Sequence, residues 1–199
     1  MRGEPVLWHE VFGNDRRVEV EIGPGRGDVL LAFAAAAPAT NFFAIERTGG
    51  AADAILARAR ALGLANVRVI AGDARCVVAR LIPETSVAAY HLYFPDPWPK
   101  TRHRRRRLAD AAMARDLART LSVGGTIDVA SDLGALVTTI SAHLVAAGLA
   151  RVAAAASCIA RPVTVFERKY ARAGTYHARL VRSAEDGRRG APAPGVVDG

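Results

Sequence analysis

One stretch of this chain combines residue types that do chemistry. Tyr93-Phe-Pro-Asp-Pro-Trp-Pro-Lys100 is followed at once by Thr101-Arg-His-Arg-Arg-Arg-Arg107. A single carboxylate, Asp96, stands between two prolines and beside Trp98. Proline fixes its own φ, and Pro97 drives Asp96 toward extended geometry. The spacing predicts a stiff loop that presents one acid and one flat ring. Six positive side chains, Lys100, Arg102, Arg104, Arg105, Arg106 and Arg107, follow immediately. They suit contact with phosphates, which supplies affinity and salt dependence but no choice of sequence. An aimed acid beside such a cluster points to a site that acts on a base within a nucleic acid. The competing reading is a rigid turn before a solvated helix start.

Further chemical residues recur at the ends of predicted strands. Residues 18–22 alternate and run into Gly23-Pro-Gly-Arg-Gly27, then into a helical pattern over 28–37. A second strand over 41–45 ends at Glu46, and a helix over 50–62 stops at Gly63. A third strand over 67–70 ends at Gly72-Asp73, followed by a short helix over 74–81. The fourth, 87–94, ends on the Pro-Asp-Pro loop; a helix over 105–120 and a turn at Gly124-Gly125 follow. The fifth, 126–130, ends near Asp132; then come a helix over 133–147, closed by Gly148, and two last strands over 149–157 and 175–182. Strands alternating with helices predict an α/β, Rossmann-like, doubly wound and mostly parallel sheet of seven strands with helices on both faces. Ligands of such sheets sit beyond the carboxyl ends of the strands. The glycine turn, Glu46, Asp73, Asp96 and Asp132 all belong to that edge.

The first glycine turn does not suit a dinucleotide. The dinucleotide fingerprint asks for a small residue three places after its second glycine, and that place is Asp28. Asp28 adds negative charge where a pyrophosphate would lie. The pattern Glu21-Ile-Gly23-x-Gly25-x-Gly27 instead resembles the glycine loop of S-adenosylmethionine enzymes, whose cofactor has no phosphate and carries a sulfonium and an amino group, so it tolerates acids. Glycines allow its close approach. Glu21 would then fall near its amino-acid portion, Glu46 would accept from both ribose hydroxyls, and Asp73 would accept from the adenine amino group. The alternative for each acid is a helix cap or an exposed charge.

Composition narrows the class. At 199 residues with 51% hydrophobic content, one domain with a real core is expected. The net charge of +8 is concentrated between residues 100 and 107, the pattern of a binding footprint. Only two of the 27 basic residues are lysines, a skew that genome composition also produces. Cys76 and Cys158 form no disulfide framework, and the five histidines show no ligand spacing, so no metal is expected. The amino terminus lacks a signal-peptide core, and the longest apolar run is too short to span a bilayer; a reducing cytoplasm is the expected compartment. The expected organisation is a short segment over 1–17, a catalytic domain over 18–183, and a disordered Gly/Pro/charge-rich tail over 184–199.

The motifs together resemble the bacterial tRNA (guanine-N(7)-)-methyltransferases. The resemblance runs from about residue 18 to 182 and rests on Glu21-Ile-Gly-Pro-Gly-Arg-Gly27, Ile45-Glu46, Gly72-Asp73-Ala74, the Phe94-Pro-Asp-Pro-Trp-Pro-Lys100 string with its basic tail, Ala130-Ser-Asp132 and Pro162-Val-Thr-Val-Phe-Glu167. Members carry a longer segment before the first strand than the seventeen residues found here. The resemblance implies a class I methyltransferase fold and S-adenosylmethionine as cofactor. It implies tRNA as partner, with a variable-loop guanosine as acceptor. Glu21, Gly23, Gly25, Gly27, Glu46, Asp73 and Asp96 would line the cofactor pocket, with Asp96 as the catalytic acid. Lys100, Asp132, Thr164, Phe166 and Glu167 would contact substrate, and Arg102 and Arg104 to Arg107 the RNA. Guanine suits these acids, because its ring N–H and exocyclic amine are adjacent donors that one carboxylate can take together. Alternatives are a non-catalytic RNA-binding module on the same fold, a methyltransferase for another RNA base, and, disfavoured by Asp28, an NAD-dependent enzyme. Trp98 either stacks on a base or braces its loop. His91 and His143 are assigned to structure, and monomer and homodimer remain open.

Overall fold

The computed structural model describes residues 4–96, 110–152 and 174–183. Its elements are α1 (Trp8–Phe12), β1 (Val18–Ile22), α2 (Asp28–Ala36), β2 (Asn41–Glu46), α3 (Gly49–Ala61), β3 (Val67–Ala71), α4 (Ala74–Arg80), β4 (Val87–Tyr93), α5 (Ala111–Thr120), β5 (Leu121–Ser131), α6 (Gly134–Ala146), β6 (Ala150–Val152) and β7 (Tyr176–Val181). They form one seven-stranded sheet in the order β3-β2-β1-β4-β5-β7-β6. β1 to β5 pair in parallel, and β7 runs antiparallel to both β5 and β6.

Near-continuous apolar strands need cover on both faces, and the helices divide accordingly. On one face Val20, Ile45, Tyr90, Leu92, Ile127 and Leu180 join residues of α4, α5 and α6 in the larger core. On the other, Leu30 and Phe33 of α2 and Ile55 of α3 pack against Phe42, Ala44 and Val67. Chain order reverses between β1 and β4, so the two strands part there at their carboxyl ends and leave a crevice.

Two elements differ from expectation. The periodicity did not announce α1, a five-residue helix. It is fixed by aromatic contacts instead: the Trp8 ring meets the Phe43 ring at 5.1 Å and the Arg68 guanidinium lies over Phe12 at 5.4 Å. Gly124-Gly125 is not a turn between helix and strand, because β5 begins at Leu121 and runs through both glycines. Gly124 takes φ +76°, its N–H donates to the Arg182 carbonyl at 2.8 Å, and the β4–β5 register shifts between Val87 and Ala89. Turn-type residues here make a bulge inside a strand. The helix expected over 105–120 is described from Ala111, and the strand expected over 149–157 from Ala150 to Val152; the remaining residues of both spans lie outside the described residues.

Candidate active site

The carboxyl ends of β1, β2, β3 and β4 enclose a cavity of about 340 Å³. Gly23, Gly25, Glu46, Asp73 and Asp96, all singled out by the sequence, line it together. Gly23 and Gly25 both have positive φ, and a Cβ at either would meet nothing within 4 Å. The backbone can therefore approach a ligand closely, and the strain of a left-handed turn is avoided.

Glu46 and Asp73 are held by backbone N–H groups. Oε1 of Glu46 accepts from Arg47 N at 2.8 Å and Thr48 N at 3.4 Å, and Oε2 accepts from Gly25 N at 3.3 Å. The carboxylate thus bridges the glycine turn and the start of α3. Asp73 is the N-cap of α4, its Oδ1 accepting from Arg75 N at 2.9 Å. These partners orient the carboxylates without neutralising them, since an amide carries no net charge.

Asp96 reaches the cavity by a strained turn. Phe94 has φ +49°, a left-handed conformation costly for a bulky residue, and its N–H donates to the Ala130 carbonyl at 2.7 Å. Such a residue stores roughly 1–3 kcal/mol and persists only where its surroundings enforce it. Here the last β4–β5 bond enforces it, and the chain turns so that Phe94, Pro95 and Asp96 all face the cavity. The sequence marked the prolines but not this residue.

Other expected site residues lie elsewhere. Glu21 is 4% exposed inside β1, in register with Ala44 and His91, and is not among the lining residues. Gly27 is not among them either; it precedes α2, and a Cβ there would come within 3.0 Å of Ile55, so its smallness serves packing. Asp28 opens α2 and pairs with Arg58 at 2.9 Å. Asp132 follows β5, where its Oδ1 accepts from the Ser131 hydroxyl at 3.3 Å, outside the lining set. Trp98, Lys100, Arg102, Arg104 to Arg107, Thr164, Phe166 and Glu167 lie outside the described residues.

The sequence reading did not single out Arg47, Thr48 or Arg75. Arg47, Thr48, Ala74 and Arg75 also line the cavity, each following a strand-end acid by one or two residues. That adjacency was the available signal. Among the described residues, no group of three or more His, Cys, Asp or Glu could hold a metal ion, and no helix is long and apolar enough to cross a membrane.

Comparison with known proteins bears on the family and the fold. A family model described as "Putative methyltransferase" matches residues 15–180. The tRNA (guanine-N(7)-)-methyltransferase of Vibrio cholerae serotype O1, strain O395, is 38% identical over 181 residues, covering 86% of this chain and 74% of that protein. That of Aliivibrio salmonicida is 42% identical over 130 residues, 65% of this chain and 55% of that protein. Against several of these curated relatives the match spans about half of their length. Among solved structures, the 16S rRNA methyltransferase KamB superposes with a TM-score of 0.63 at 18% identity, covering 88% of this chain and 92% of that one. The 16S rRNA (adenine(1408)-N(1))-methyltransferase of Catenulisporales acidiphilia, solved with cosubstrate SAM, gives 0.61 at 18% identity, covering 88% and 90%. At such identities these structures establish the fold, that of the class I methyltransferases. With a family match across most of its length and a relative 38% identical covered over 74% of its own, the chain belongs to the tRNA (guanine-N(7)-)-methyltransferase family.

Proposed function

We propose that this chain transfers the methyl group of S-adenosylmethionine to N(7) of a guanine in tRNA, a variable-loop guanosine by family resemblance. The observation that carries the reading is the cavity where Gly23, Gly25, Glu46, Asp73 and Asp96 converge, with Asp96 at the head of the basic stretch. About 340 Å³ falls within the range of small-ligand pockets. Its donor set also fits this cofactor. Acids held by backbone amides keep their charge for a cation, and Cβ-free walls admit it closely.

When bound, S-adenosylmethionine supplies an electrophilic methyl group. Glu46 would accept from the two ribose hydroxyls, its carboxylate held by Arg47 N, Thr48 N and Gly25 N. Asp73, its Oδ1 held by Arg75 N, would accept from the adenine amino group. N(7) of guanine has a free lone pair and no proton, so Asp96 need not act as a base. Its task is to orient the acceptor and stabilise the positive charge that develops on the purine. Asp132, Lys100, Thr164, Phe166 and Glu167 are assigned to the guanine and its surroundings, and Arg102 and Arg104 to Arg107 to the RNA phosphates. This reading places the enzyme in the cytoplasm. Incubation of the pure protein with unmodified tRNA and methyl-labelled cofactor, followed by mapping of the product, tests it. Label at guanine N(7) is expected; no label, or label on adenine or cytosine, overturns it.

A further inference from the structure

Tyr176 opens β7 at the carboxyl edge of the sheet and is 53% exposed. Tyr90 and Tyr93 turn their hydroxyls into the fold, toward Thr120 at 2.6 Å and His91 at 3.0 Å. The Tyr176 hydroxyl has no hydrogen-bond partner among the described residues, and its ring meets no other aromatic ring there.

The ring is nonetheless seated. A Cβ at Gly134, the first residue of α6, would lie 3.0 Å from Cε1 of Tyr176 and 3.1 Å from Cδ1 and Cζ, the two atoms bonded to Cε1. Near-equal distances to three consecutive ring atoms place Gly134 against the face of the ring. An approach from the edge would leave the outer two clearly farther away. Gly134 has no positive φ, so its backbone does not call for glycine. Glycine weakens a helix relative to alanine, and here it clears the space in which the ring lies. One face of Tyr176 rests on α6, so the exposure belongs to the opposite face and the hydroxyl end.

The platform stands beside the cavity. Tyr176 pairs with Ser131, the last residue of β5, and Asp132 follows at once. The Ser131 hydroxyl oxygen accepts from Leu133 N at 3.1 Å and fixes that turn. Across β5, the Ala130 carbonyl accepts from Phe94 N, and Phe94 lines the cavity with Asp96. Phe94 and Tyr176 therefore flank β5, two strand spacings or roughly 10 Å apart. The part of an RNA that such a ring recognises is a base, which is flat and offers a π-face whatever its identity.

We propose that Tyr176, supported by Gly134, is a stacking platform for an RNA base, either the target guanine or a nucleotide beside it, held at the β5 edge while N(7) meets the cavity. This rests on the reading under Proposed function.

The test uses tRNA carrying 2-aminopurine, whose fluorescence falls on stacking. It replaces the variable-loop guanine, its 5′ neighbour or its 3′ neighbour in three separate preparations. Binding of the full chain should quench one of them, and the responding position identifies the stacked base. Tyr176→Leu keeps an apolar contact for Gly134 but has no π-face, and it should abolish that quench. With unmodified tRNA, Tyr176→Leu should raise KM about five- to a hundredfold, the worth of one base–aromatic stack. Tyr176→Phe and Tyr176→Trp should stay close to the original protein. The affinity of Tyr176→Leu for S-adenosylhomocysteine, by calorimetry, and its Tm should be unchanged. No Tyr176-dependent quench at any of the three positions overturns the proposal. So does a KM that rises equally for Phe and Leu, which would assign the effect to the hydroxyl, or one that rises only in step with a fall in Tm. If the original protein methylates no tRNA, the functional reading fails instead, and the quench series still decides Tyr176.

Discussion

Two sets of carboxylates occupy the same sheet and are treated in opposite ways. Glu46 and Asp73 stand at strand ends and are held by backbone N–H groups. Glu19 and Asp128 stand within strands and are held by cationic or potentially cationic side chains. Glu19 accepts from Arg17 at 2.7 Å and bonds His91 Nε2 at 2.9 Å. Asp128 is gripped by Arg179 through Nε at 2.6 Å and Nη2 at 2.8 Å. His91 links the two, its Nδ1 3.0 Å from the Tyr93 hydroxyl and 4.0 Å from Asp128, and its ring 5.2 Å from Phe33 of α2. Backbone amides orient a carboxylate and leave its charge for a ligand; a guanidinium consumes that charge in holding strands together. The first arrangement makes a site, and the second makes a brace across β1, β4, β5 and β7.

The sharpest separation comes from removing one acid of each kind. Asp96→Ala should lower kcat about 10²–10³-fold, the usual cost of a transition-state electrostatic partner, while tRNA binding and Tm hold. Rapid-quench turnover and anisotropy check the two halves. Asp128→Ala should do the reverse, destabilising the fold by about 2–3 kcal/mol through loss of a bidentate, largely buried pair, with cofactor affinity of the folded fraction retained. Denaturant melts and calorimetry would show it. If Asp128→Ala lowered turnover without touching stability, the brace would belong to the site. Glu46→Gln falls between them. It keeps the shape but substitutes a donor for one acceptor, so cofactor KM should rise about tenfold with kcat little changed.

The cavity was legible because its chemistry is local. A strand end followed by a Gly or an acid can be read from alternation and punctuation, and Gly23, Gly25, Glu46, Asp73 and Asp96 all converge as that reading requires. What escaped is long-range. Glu21 looked like a pocket acid because it precedes the glycine turn, yet it is buried within β1, in register with His91, and is not among the lining residues. The Glu19–His91 bond joins residues 72 apart, and Arg75–Asp110 residues 35 apart, across elements whose pairing no single motif encodes. Gly124-Gly125 misled for another reason: the residues that permit a turn also permit a bulge, and only the neighbouring strand decides between them. α1 is too short to show a helical period and is held by rings on other elements.

The smallest effect tests the brace through its pH dependence. Burial pushes the Glu19 carboxyl up, but its bond to His91 and the charges of His91 and Arg17 more than offset this and hold it below the ordinary value of 4.5. A carboxyl depressed on folding binds its proton more weakly in the folded state than in the unfolded one. Its contribution to stability is therefore fully present above the unfolded value and is lost as pH falls through the lower, folded value. Asp128, Tyr93 and Arg179 also face this network, so the acid-limb slope has more than one source. Glu19→Gln isolates one of them. The variant should be less stable than the original protein near neutrality, and the gap should narrow as pH drops below about 4.5. Parallel Tm curves across that range would mean that Glu19 titrates alike in both states. The brace would then be held by shape and hydrogen bonding, with charge playing no part.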